Sequence, residues 1–309
     1  MDVINLINNI SNDNIPYKHS DLIHISNIDS NQLKIFLKAW EDIPKTRKLD
    51  LLRKFIFLSE ENIELDFSQI FINLLNDKNS EVIKLSLEGL WEYEGREIID
   101  PIINLTHKNH TNEVRISAIA LLGTFIVHAL DKKIIQRDAN KIANQLKSIF
   151  KNEKDLNIQA QALEAMSPYK DNETNLLINQ AYKSDHNTLK KSAIFSMGQS
   201  NDETWLSNIL SELKSNNLSF RFEAINAYAK LCNSNNISPI SNLLTDDEQE
   251  IRLASLNAIG IIGGENAKKL LRKASKSTDS ILSKTATEIL KNISFEENSS
   301  IFSQAEINL

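Results

Sequence analysis

One arrangement of apolar and polar positions recurs along most of the chain. Ile251 is preceded at 31-residue steps by Phe220, Leu189 and Ile158 and followed by Leu282, while Val82 and Val114 begin two further copies 32 residues apart. Four residues after each anchor stand Ser86, Ala118, Ala162, Ala193, Ala224, Ser255 and Ala286, so this position is always small. Eight after stand Leu90, Leu122, Met166, Met197, Tyr228, Ile259 and Leu290, always large. Five after are Leu87, Ile119, Leu163, Ile194, Ile225 and Leu256, with Thr287 the one polar member. Offsets 0, 4, 5 and 8 share one face of an α-helix and fit no strand. A large–small–large stripe lets a neighbouring helix approach closely at the small residue. Three residues before five anchors lie the N-cap candidates Asn79, Thr111, Asp155, Asn217 and Asp279. Gly123, Gly198 and Gly260 fall nine after their anchors, where the helix is expected to bend or end.

Each of these helices, termed B, follows a second amphipathic segment, A: Phe67 to Leu75, Ile98 to Leu105, Asn140 to Phe150, Asn175 to Tyr182, Trp205 to Leu213, Ile237 to Leu244 and Ala267 to Ala274. A less regular pair, Gln32 to Ile43 and Arg47 to Ser59, precedes them. One such pair cannot bury its own apolar faces, so the pairs must stack. The pattern predicts an all-α protein, an α-solenoid of about eight pairs over residues 31–293, with a cap segment at 1–30 and a flexible tail at 294–309. The rhythm breaks between Val114 and Ile158, which are 44 residues apart. The surplus lies around 127–139, and it is read as a lengthened B helix and loop in preference to an element that grips a partner.

The residues Ile251-Arg252 with Ser255 and Ile259-Gly260, and Val114-Arg115 with Ala118 and Leu122-Gly123, resemble the core of short bacterial HEAT repeats of the phycobilisome-lyase HEAT-like group. The resemblance implies HEAT-like (armadillo-like) helix pairs. For function it implies little, since that family includes binding scaffolds, chromophore lyase subunits, a di-iron hydroxylase and DNA glycosylases.

Composition narrows the choice. Only 7 Gly and 5 Pro among 309 residues suit helices joined by short turns. A net charge of −6 argues against nucleic acid as the partner, because phosphate binding needs a dense basic surface. The single Cys, Cys232, excludes an internal disulfide and a Cys-rich zinc site. MDVINLINNI has no basic start and no long apolar run, and no stretch is read as a membrane span, so a cytoplasmic protein without a membrane partner is expected.

Candidate chemistry is sparse. A di-iron hydroxylase of the resembled family holds its metals with His-Glu steps, and none of the six His here is followed by Glu. His107 and His110, with Glu113 nearby, form the best metal candidate, but they fall at an A–B turn where polar residues are expected, and no metal or other cofactor is assigned. Cys232 has no His close in sequence, and Glu88, Glu164 and Glu288 sit in separate repeats, so no catalytic residue is assigned. Arg115, Arg221 and Arg252 at offset 1, with Lys190 in the same position, are read as braces that pair with an acid near an A–B turn, such as Asp246. The basic run Lys268, Lys269, Arg272, Lys273, Lys276 is read as a solvated helix face.

A non-catalytic scaffold, monomeric, that binds a protein partner on a concave face lined by B helices is the function expected. Its partner-binding residues would be Ile116, Phe195, Arg221, Phe222, Arg252 and Leu253. The competing expectation is an enzyme or enzyme subunit of the resembled family, a chaperone of the chromophore-lyase type or a metal-dependent oxidoreductase.

Overall fold

The computed structural model describes residues 3–12, 15–232 and 236–307, and all regular structure among them is helical. The chain divides into two compact units, residues 1–166 and 167–309. The first contains α1 (Val3–Ser11), α2 (His19–Leu22), α3 (Ser30–Asp42), α4 (Lys45–Glu61), α5 (Ser68–Leu74), α6 (Ser80–Gly89), α7 (Ile99–Leu105), α8 (Asn112–Leu130), α9 (Gln136–Asn152) and α10 (Leu156–Met166). The second contains α11 (Asn172–Tyr182), α12 (Asn187–Gln199), α13 (Leu206–Glu212), α14 (Leu218–Leu231), α15 (Ser238–Ser241), α16 (Gln249–Ile262), α17 (Gly264–Ala274) and α18 (Ser280–Ile307). The architecture is an all-α solenoid, with A–B pairs running from α3/α4 to α9/α10 in the first unit and from α11/α12 to α17/α18 in the second.

The repeated stripe is the core. All seven small residues at offset 4, from Ser86 to Ala286, have 0% of their surface exposed. Ser can replace Ala there because its hydroxyl is satisfied within the helix: Ser86 Oγ donates to the Val82 carbonyl and Ser255 Oγ to the Ile251 carbonyl, both at 2.8 Å. The anchors are buried throughout. At offset 8 only Leu290, in α18, is less than buried. The predicted N-caps form: Asn79, Thr111, Asp155, Asn217 and Asp279 each accept a backbone N–H of the first helical turn.

Gly123 lies well inside α8, whereas Gly198 and Gly260 lie one and two residues before the ends of α12 and α16. They are small because the next B helix packs against them at its offset 7. A Cβ on Gly198 would stand 2.6 Å from Ala227 Cα, one on Gly260 2.7 Å from Ile289 Cγ2, and one on Gly123 3.1 Å from Ala165 Cα. The residue that does end α16 is Gly263, with φ +69°, a left-handed conformation that suits glycine.

Three A helices are shorter than the segments read from the pattern, α5, α7 and α13 having 7 residues each, while α9, α11 and α17 are longer at 17, 11 and 11. The segment expected at Ile237 to Leu244 is α15 plus a 3-10 turn over Asn242–Thr245, with Pro239 in its first turn. Of the surplus around 127–139, residues 127–130 extend α8 to 19 residues, 136–139 extend α9 to 17, and 131–135 form the turn between them. By length and composition α8 could cross a membrane, which the sequence reading did not anticipate. Here it is a core helix, with Val114, Ala118, Leu122 and Phe125 buried against its neighbours and Arg115 buried beside them. In the segment before α3, Leu6, Ile7 and Ile10 of α1 are buried and α1 packs on α3. Arg47 fastens it by donating to the carbonyls of Ile10 (2.6 Å) and Ile15 (2.7 Å), its guanidinium 4.7 Å from the centre of the Tyr17 ring. At the other end α18 runs through 294–307, where the sequence reading places a tail; the side chains from 296 onward lie outside the described residues.

In an isolated helix Gly→Ala stabilises by about 1 kcal/mol. Gly198→Ala should do the reverse and destabilise by about 1–3 kcal/mol, because the new methyl meets backbone. Gly123→Ala, with more room, should cost less. Denaturant unfolding of both variants checks this; a more stable Gly198→Ala would mean that α12 and α14 are not in close contact.

Candidate functional site

The residues at offset 1 show what the B helices do with their charges. The last turn of every helix leaves backbone carbonyls without partners. Arg115 Nε donates to the Thr106 carbonyl at the end of α7 (3.0 Å), Arg221 to Ser215 O (2.9 Å), and Arg252 to Asp246 O (2.9 Å) and Asp247 O (3.0 Å). Gln159 serves the Phe150 and Glu153 carbonyls in the same way, and Ser283 serves Ser275. Each arginine also reaches an acid in the following pair: Arg115 pairs with Glu153, Arg221 with Asp246 (3.3 Å) and Arg252 with Asp279 (3.2 Å). Asp279 in turn caps α18. The offset-1 donors therefore brace the turns of their own pair to the next.

Lys190 holds the same position with different chemistry. Its ammonium lies 5.1 Å from the Tyr182 ring centre, 4.9 Å from that of Phe220 and 2.8 Å from Glu212, which also accepts from Tyr182 Oη at 2.7 Å. Burial and the bond to Glu212 push the Tyr182 phenol up to about 12. The sequence reading missed this node, because its four residues come from α11, α12, α13 and α14 and share no spacing.

The Arg115–Glu153 pair is the most buried of the braces, with side-chain exposures of 7% and 8%. Burial alone would raise the Glu153 carboxyl. Hydrogen bonds from Arg115 and from the backbone N–H groups of Lys154 and Asp155 outweigh it and hold the group at about 2.

Of the six predicted partner-binding residues, Ile116 lies in the first unit and the other five in the second. All six except Arg221 and Arg252, which belong to the braces, are free of such roles, and all are half-buried. Helix geometry separates them further. Offsets 2 and 9 differ by about 20° around a helix, and offset 9 is where the next B helix packs. Lys191, at offset 2, accordingly pairs with Glu223 of α14 at 3.4 Å. Phe222, Leu253 and Ile116 share that offset and so flank seams between B helices. Phe195, at offset 6, faces outward, with the Lys230 ammonium of α14 5.7 Å from its ring centre. Burial raises the Glu223 carboxyl against the opposing pull of Lys191 and Lys230, and it lowers the Lys230 ammonium against the pull of Glu223.

The other candidates remain dispersed. Among the described residues no three His, Cys, Asp or Glu side chains converge as metal ligands. His107 lines a hollow of about 180 Å³ together with Arg115 and Glu153, which are occupied with each other. Cys232 is half-buried, its Sγ 3.6 Å from Tyr228 Oη, and lines a hollow of about 320 Å³ with Leu206 and Leu210.

Residues 206–291 match the family described as HEAT repeats. Among solved structures, the CpcE–CpcF complex of phycocyanin lyase from Nostoc sp. PCC7120 is similar with a TM-score of 0.50 at 12% identity, over 73% of this chain and 94% of that one. YibA of E. coli is similar with a TM-score of 0.45 at 17% identity, over 79% and 96%. Human deoxyhypusine hydroxylase gives 0.34 at 12% identity, over 84% and 95%. The first of these is a likeness of fold alone. Comparison with curated proteins finds no match.

Removing one partner of a buried pair leaves the other charge uncompensated. Arg115→Leu should therefore destabilise by about 3–5 kcal/mol, and Arg115→Leu/Glu153→Leu should recover a large part of that loss. Because the folded pKa of Glu153 lies below the ordinary carboxylate value of about 4.3, the stability from this group is present above that pH. It is lost as pH falls towards 2. The double variant should show a shallower loss of stability over that window in pH-dependent unfolding.

Proposed function

Residues 206–291 being HEAT repeats within a solenoid of like pairs, we propose that the protein is a non-catalytic scaffold that binds a protein partner across the outward face of its B helices. The observation that carries this reading is Phe195. It is an aromatic side chain left half-buried on the outward face of α12, with the Lys230 cation beside it, while every cation of the braces is internally engaged. Aromatic anchors with charged edges dominate protein interfaces. Phe222 and Leu253 extend the apolar surface along the seams of the second unit, and Ile116 holds the same offset in the first. Arg221 and Arg252 support it from the braces and do not offer free charge. The scaffold acts as a cytoplasmic monomer in this reading, with the partner's shape and charge read by the B-helix surface.

The fold likeness to the phycocyanin lyase complex supports a second reading, an enzyme subunit or chaperone of the chromophore-lyase type; a metal-dependent oxidoreductase rests only on the resemblance of the repeat motif. Absorption spectra and metal analysis of the purified protein separate the two, with the scaffold expected to be colourless and metal-free. A stoichiometric metal lost on replacing His107 and His110 by Ala would favour the oxidoreductase.

Phe195→Ala should weaken partner binding by about 2 kcal/mol with little change in melting. Phe222→Ala should instead cost stability, since its position flanks a seam. Melts of both variants, run beside quantitative capture of the partner, provide the check. Loss of stability in Phe195→Ala with binding retained in the folded fraction would refute the anchor.

A further inference from the structure

A surface of the first unit takes no part in the braces and carries a row of exposed large apolar side chains. Phe57, Trp91, Val127 and Leu130 are between 44% and 54% exposed. Phe57 lies near the end of α4, Trp91 two residues beyond α6, and Val127 and Leu130 in the last turn of α8. α4 packs on α6 and α6 on α8, so these three ends are neighbours. An ion pair between Lys133 and Glu94 fastens the segment after α8 to the segment after α6. With helices about 8–10 Å apart, the row from Phe57 through Trp91 to Leu130 spans roughly 20 Å, the length of about 13 residues of helix.

The rim of this row is acidic. Glu60, Glu61, Glu88 and Glu92 are exposed and form no ion pair among the described residues, against the cations Arg53, Lys84 and Lys132 nearby. Exposed aromatics at the centre and unpaired carboxylates at the edge are complementary to an amphipathic helix with an apolar stripe and Lys or Arg flanks. We propose that this edge docks a basic amphipathic helix of a partner protein. An anionic membrane is disfavoured by the carboxylates. A second copy of this chain is disfavoured because its own basic helix, α17, already buries Ala267, Leu271 and Ala274. The proposal shares with the scaffold reading only the idea of a protein partner and is independent of Phe195.

The full chain can be tested with a fluorescein-labelled peptide of roughly 18 residues, about five helical turns, with Leu on one face and Lys on the flanks. Two controls are a peptide of the same composition with scrambled order and one with Glu in place of Lys. Anisotropy titration should show saturable binding of the first peptide only. Phe57→Ala/Trp91→Ala, with unchanged melting, should raise Kd by about tenfold or more, and so should Glu88→Lys/Glu92→Lys. Phe195→Ala should leave Kd unchanged, which separates failure here from failure of the scaffold reading. Equal binding of the scrambled peptide, unchanged affinity in both double variants, or a dimer of the wild-type chain abolished by Trp91→Ala would each overturn the proposal.

Discussion

The structure depends on how closely one B helix can approach its neighbours. At offset 4 the seven B helices from α6 to α18 present Ala or Ser with no exposed surface. At offset 9 three of them present Gly to offset 7 of the next. The first contact lets large residues at offsets 0, 5 and 8 interdigitate on the inner side, and the second brings successive B backbones together. Dispersion and apolar burial scale with such proximity, so one added methyl at these points acts on two helices at once.

Close backbone packing creates a second problem, since each A–B turn leaves carbonyls of the last A-helix turn without partners. At five of the seven offset-1 positions a side chain donates to carbonyls at or just beyond the end of the A helix, and the three arginines also reach an acid of the next pair. Arg115, Arg221 and Arg252 do this with a guanidinium fork, which can serve a carbonyl and a carboxylate together. Lys190 has a point charge and reaches Glu212 between two rings. The same cations are thereby engaged within the fold, and in the two proposals made above recognition falls to Phe195 in the second unit and to the Phe57–Trp91–Leu130 edge in the first.

This division explains why the candidate site was only partly legible. The sequence reading placed Arg221 and Arg252 both as braces and as flanks of a binding stripe, and the geometry gives them the first role. It grouped Phe195 with Phe222 and Leu253 because all are apolar and off the core stripe. Helical direction separates them, since offset 2 lies about 20° from the offset-9 seam, whereas Phe195 at offset 6 meets the neighbouring α14 only through the Lys230 ammonium beside its ring. Trp91 attracted no attention: it stands at offset 9, where three other repeats carry Gly, but it lies beyond the end of α6.

The sequence by itself determined the helix pairs, their caps, the small-residue stripe and the bracing role of the offset-1 arginines. Each follows from interactions within one turn or from a fixed helical period, and seven copies of one pattern reinforce each other. Only the tertiary structure decided why Gly123, Gly198 and Gly260 are glycine, which acids receive the arginines, that apolar α8 is a core helix, and which apolar residues remain uncovered. Those properties depend on what the next helix places opposite a residue, and no periodicity within a single helix encodes that.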